Sequence, residues 1–141
     1  MRSLKTIIAE AEQQKIAIGH FNISDLVGLR AIFEAARDFL PQHKTPVIVG
    51  TSEGERDFVG ANEAVMLVKS LRERFDYPIF INADHTHSLE KIKEAVEAGY
   101  DAIIFDGSKL PLEENIAATK EAANYIRTHA PETIIEGELG Y

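Results

Sequence analysis

The sequence predicts an α/β protein of the parallel (β/α)8 TIM-barrel type, truncated after its fifth strand. Three observations predict this. Five apolar runs alternate with helical periodicity, starting near residues 16, 46, 78, 102 and 133, roughly 24 to 32 residues apart, as βαβ units require. The runs are almost continuously apolar, as parallel strands covered on both faces are. Each run also ends in groups able to move a proton, hold a metal or bind a hydroxyl. A whole barrel takes about 250 residues, whereas this chain has 141. The expected organisation is a single domain, residues 1–141, forming the amino-terminal portion of such a barrel. The alternative is an open, flavodoxin-like five-stranded sheet, complete at this length.

Taken in order, Ser3 caps a first helix with Leu4, Ile7, Ile8 and Ala11 on one face. Ile16-Ala17-Ile18 heads a strand that ends near His20-Phe21-Asn22. Ser24 or Asp25 caps a helix carrying Leu29, Ile32, Phe33 and Ala36, which stops before Pro41. Pro46 to Gly50 is the second strand, and Thr51 to Gly60 reads as a loop. Asn62 opens a helix with Val65, Val68, Leu71 and Phe75 inward. Pro78-Ile79-Phe80-Ile81 is the third strand, and Ser88 caps a helix of Leu89, Ile92 and Val96 that closes at Gly99. Ala102 to Phe105 is the fourth strand. Its helix starts after Pro111, with Glu113 and Glu114 at the positive end of the dipole, and Pro131 stops it. Thr133-Ile134-Ile135 begins the fifth strand.

Composition narrows the class. A formal charge of −8 disfavours a nucleic-acid or anionic-membrane partner, because both need a basic face. There are no cysteines, so no disulfide framework and no thiolate metal site exists. Glu10 and Glu12 follow residues 1–5 too early for the signal-peptide pattern, no apolar run approaches membrane length, and the expected localisation is cytoplasmic. Neither a phosphate loop nor a glycine-rich dinucleotide fingerprint occurs.

The polar strand ends carry the functional signal. They are His20 and Asn22, Thr51 and Ser52, Asp84 and His85, Asp106-Gly107-Ser108, and Glu136 and Glu138. An open sheet gathers such groups at its switch point, whereas a barrel spreads them around the rim, so the even spread favours the barrel. Asp84 alone could cap a helix, and Asp106 before Gly107 could serve a turn. An adjacent Asp and His at a strand end is harder to explain by packing. His43 and His129 read as solvated, and His87 as a loop residue.

The chain resembles the class II, metal-dependent fructose-bisphosphate or tagatose-bisphosphate aldolases along essentially its whole length. The resemblance rests on Gly19-His20-Phe21-Asn22, Pro46-Val47-Ile48-Val49, Asn82-Ala83-Asp84-His85, Ile104 through Pro111, Glu113-Glu114-Asn115-Ile116 and Glu136-Gly137-Glu138-Leu139-Gly140. It implies reversible aldol cleavage of a ketose 1,6-bisphosphate to dihydroxyacetone phosphate and glyceraldehyde 3-phosphate, within glycolytic carbohydrate metabolism. It implies Zn2+ or another divalent metal as cofactor, and homo-oligomerisation of the full-length protein. By the same resemblance, Asp84 is the catalytic acid/base and His85 the first metal ligand. Asp106 and Glu138 are carboxylates in or near the metal shell, and Asn22 and Ser52 touch the phosphorylated substrate. Two further metal histidines, an acidic mobile loop and the phosphate loops are expected from later strands. The 141-residue chain is therefore expected to be inactive alone. The alternative is a non-catalytic five-stranded ligand-binding or subunit module derived from an aldolase.

Overall fold

The computed structural model describes residues 2–39 and 45–140. The elements are α1 (Leu4–Gln14), β1 (Gly19–Asn22), α2 (Leu26–Phe39), β2 (Val47–Thr51), α3 (Glu53–Val59), α4 (Ala61–Phe75), β3 (Ile79–Thr86), α5 (Leu89–Ala98), β4 (Ala102–Phe105), α6 (Leu112–His129) and β5 (Ile134–Gly137). The stop at Pro41 and the reading of His43 lie outside the described residues.

All five strands are parallel and stand in the order β1-β2-β3-β4-β5. A flavodoxin-like sheet would reverse its order at a switch point and carry helices on both faces. Here the helices α2, α4, α5 and α6 all pack on one face. Leu29 and Phe33, Val65 and Val68, Ile92 and Ala95, and Ala122 and Ile126 bury against Val47, Val49, Ile79, Ile81, Ala83, Ile103 and Phe105. Sequential strands with one helical face are the winding of a (β/α)8 barrel, and the open-sheet alternative is excluded. Among the described residues the opposite face is covered only at its lower end, where Leu4 and Ile7 of α1 meet Phe80, Ile48, Ala102 and Ile134. Above that layer this face carries Asn22, Asn82, Asp84 and Glu136, with Ile104 among them.

Three boundaries differ from the sequence reading. Ile16-Ala17-Ile18 is not strand: Gly19 is the first ladder partner, opposite Val47, and Pro46 has no N–H to extend the pairing. Ile16 is accordingly exposed while Ile18 packs on the α1 layer. The Thr51–Gly60 segment is not a loop, since most of it is α3. Its Ser52 cap and Glu55 close a capping box with both reciprocal bonds present. Finally, β3 does not stop at Ile81 but runs to Thr86. For the second helix, Asp25 supplies the cap, its Oδ1 accepting from Gly28 N at 2.7 Å.

Candidate active site

The polar cluster lies at the carboxyl ends of the strands, and a bulge in β3 organises it. Ala83 pairs with Ile103 and Thr86 with Phe105, so Asp84 and His85 together oppose the single residue Ile104. In a regular strand, neighbours point to opposite faces. The extra residue breaks that alternation, and His85 takes φ +44°. A left-handed non-glycine residue costs about 1–3 kcal/mol and persists only where its surroundings hold it. The consequence is that two sequence neighbours reach the same site, with His85 Nε2 3.9 Å from Asp84 Oδ1.

Downstream strand ends complete the cluster. His85 Nδ1 lies 3.0 Å from Asp106 Oδ2 and 3.3 Å from Glu138 Oε2. Burial pushes the Asp106 carboxyl up, but bonds from the Ser108 hydroxyl and amide, with one from His85, outweigh it and hold the group at about 2. The His85 imidazole is raised, chiefly by its hydrogen bond to Asp106. Donor atoms of His85, Asp106 and Glu138 lie within 4.8 Å of one another. One imidazole nitrogen and two carboxylate oxygens form a donor set that a divalent cation accepts. Glu136, two residues before Glu138, faces the open side of the sheet and stays exposed. Asn115 holds the last segment, its Nδ2 donating to the Glu138 carbonyl at 2.8 Å.

On the other flank, Asn22 Nδ2 donates to Asp84 Oδ2 at 3.0 Å and lies 3.2 Å from Glu55 Oε2. Oδ1 of Asp84 is thus the oxygen turned toward His85. Gly50 makes room here, because a Cβ on it would stand 2.6 Å from His20 Nε2 and 3.0 Å from Asn22 Oδ1. Ser52 is held in the α3 cap, its Oγ donating to Glu55 Oε2 at 2.9 Å.

Four site residues escaped the sequence reading. Glu55 links Ser52 to Asn22, and Glu53 accepts from the His87 amide at 2.7 Å. His87, read as a loop residue, ends with its Nδ1 3.7 Å from Asp106 Oδ2. Arg56 is buried, and its Nη1 donates to the carbonyls of Thr51 and, at 3.1 Å, Asp84, while Nη2 donates to Thr86 Oγ1 at 3.0 Å. Burial lowers the Arg56 pKa. The signal that could have found three of them is the Ser52-x-x-Glu55 box, which marks a helix start and with it the face carrying Arg56.

A parallel barrel-type sheet that gathers carboxylates and an imidazole at its carboxyl rim has the layout of a (β/α)8-barrel enzyme site. The particular family follows from comparison: the chain belongs to the class-II fructose-bisphosphate aldolases, whose family model matches residues 2–141. A fructose-bisphosphate aldolase of Geobacillus stearothermophilus is 38% identical over 141 residues, covering 98% of this chain and 47% of that protein. A 6-phospho-5-dehydro-2-deoxy-D-gluconate aldolase of Bacillus subtilis (strain 168) is 33% identical with the same coverage. Among solved structures, the YdjI aldolase from Escherichia coli K12 superposes with TM-score 0.84 at 29% identity, over 100% of this chain and 52% of that one. The chain spans about half the length of the curated relatives it matches.

Proposed function

We propose that this chain supplies the amino-terminal half of the active site of a metal-dependent ketose-bisphosphate aldolase, acting within a larger barrel. The observation that carries the reading is the bulge that turns Asp84 and His85 onto one rim position beside Asp106 and Glu138. Among the described residues the outer edges of β1 and β5 pair with no further strand, which supports the larger barrel.

In this reading His85 is the first ligand of a divalent cation, zinc by its nitrogen and carboxylate donors. Asp106 and Glu138 ligate it or orient the imidazole. The bound cation supplies Lewis-acid polarisation of the substrate carbonyl. Asp84 Oδ1 takes the proton from the hydroxyl beside the bond being cleaved, and returns it in the condensation direction. Asn22 fixes the other Asp84 oxygen, and Asn22 and Ser52 line the substrate side. The substrate proposed is fructose or tagatose 1,6-bisphosphate, yielding dihydroxyacetone phosphate and glyceraldehyde 3-phosphate. The compartment proposed is the cytoplasm. Among the described residues no helix is long and apolar enough to cross a membrane.

The test is cleavage turnover with both ketose bisphosphates and with 6-phospho-5-dehydro-2-deoxygluconate, for the chain alone and for the chain joined to the remaining barrel half of a relative. The expected result is no turnover alone, and metal-dependent turnover on joining that Asp84→Ala abolishes. Turnover by the isolated chain, or an unchanged Asp84→Ala, would overturn the proposal. A joined barrel that binds metal without turnover would favour a non-catalytic module.

A further inference from the structure

We infer that Arg56 is the positioning residue that sets the Asp84–His85 bulge. Arg56 is 3% exposed, and burying a guanidinium is costly unless its donors are used. Its hydrogen bonds go not to a carboxylate but to the carbonyls of Thr51 and Asp84 and the hydroxyl of Thr86. Those acceptors bracket the irregularity. Thr51 is the last residue of β2 and pairs with Ala83, just before the bulge. Asp84 lies inside it, where the ladder to β4 is interrupted, and Thr86 is where pairing resumes opposite Phe105.

A planar guanidinium can reach all of these at once, which a single ammonium cannot. The capping box at Ser52 and Glu55 fixes the first turn of α3, so Arg56 is presented from a rigid helix. Arg56 thereby provides the surroundings that hold His85 in its left-handed conformation. It acts on the Asp84 and His85 side chains through the Asp84 carbonyl and through Thr86, which follows His85.

The inference rests on the aldolase reading for its consequence, but one readout is independent of it. The Asp106 amide donates to the Thr86 carbonyl at 2.8 Å, directly after the bulge, so its hydrogen exchange reports the bulged register. Co2+ titration of the 141-residue chain reports the placement of His85. Arg56→Lys keeps the charge and loses the fork; Thr86→Val removes one acceptor at nearly constant volume. Arg56→Lys is expected to unfold cooperatively, yet to lose about tenfold or more of both Asp106 amide protection and Co2+ affinity, with Val49 protection unchanged. Thr86→Val should shift both in the same direction by a smaller factor. Asp106 protection and Co2+ affinity within twofold of the parent in both variants would overturn the inference. If Arg56→Lys does not unfold cooperatively, Thr86→Val alone decides by the same two readouts. A parent chain that binds no Co2+ overturns the metal reading, while Asp106 exchange still decides on Arg56.

Discussion

Asp84 and His85 occupy a single step of the β3–β4 ladder, both opposite Ile104. Without that bulge, one of the two would point into the helical layer, where Ala83 and Thr86 are fully buried. With it, the carboxylate faces Asn22 on one flank and the imidazole faces Asp106 and Glu138 on the other. A backbone irregularity thus assembles the site from strands β1, β3, β4 and β5.

Asp106, held chiefly by Ser108 and also by His85, and His85, held chiefly by Asp106, make stability depend on pH with two arms. The Asp106 pKa falls from 3.8 to about 2 on folding, so its contribution is complete above pH 4 and is lost as pH falls through about 2. The His85 pKa is raised above 6.5, so its contribution is complete below that value and is lost as pH rises through the folded pKa. The two overlap between about pH 4 and 6.5. Asp106→Asn is expected to cost about 2 kcal/mol in that window, measured by urea denaturation at a series of pH values. A pH-independent difference would contradict the assignment.

Phe80 is the apolar floor beneath the polar face. It is 1% exposed and joins Leu4 and Ile7 of α1 to the sheet. Phe80→Ala should destabilise the chain by about 3–5 kcal/mol. Amide exchange should accelerate more in α1 than in α5, because α1 packs on this face alone. Equal acceleration in both helices would show that α1 is held some other way.

Asp101 ties the opposite, amino-terminal end of the sheet. It accepts from Arg72 in a two-pronged pair and from Ile81 N at 2.8 Å, while Arg72 Nε also donates to the Ile79 carbonyl at 2.7 Å. Asp101→Ala leaves a half-buried guanidinium and a strand amide short of acceptors, so a loss of about 2–4 kcal/mol is expected. Co2+ affinity should stay within twofold, because this end is remote from the His85 cluster. Weakened metal binding in a folded Asp101→Ala variant would contradict that separation.

Much of this architecture is legible in the chain itself. The apolar runs, the Ser3 and Ser88 caps and the stop at Gly99 predict α1, α5 and the strand sequence, and the spread of polar strand ends predicts a rim. Register is another matter. Asp84 and His85 look like alternating neighbours until β4 is laid alongside, because a bulge is a property of two strands. The acidic residues Glu53, Glu55 and Asp57 fall in the stretch that reads as a loop, although Glu55 completes a helix cap and Arg56 between them is buried. Ile16 and Ile18 read as strand, but whether they pair depends on where β2 starts. Of the acidic pair on β5 and just beyond it, Glu138 rather than Glu136 reaches His85, which only the strand's end point decides.

In the proposed function the bulged Asp84–His85 pair, with Asp106 and Glu138, forms the chain's divalent-metal site and separates ligation from proton transfer. Calorimetric titration of Zn2+ or Co2+ into the parent chain, Asp84→Ala and His85→Ala at neutral pH decides it. The expected result is one site per chain in the parent, affinity retained in Asp84→Ala, and at least tenfold weaker binding in His85→Ala, the 10–100-fold range typical of disturbed metal shells setting the lower bound. Binding that is absent from the parent, or that survives His85→Ala undiminished, would contradict it.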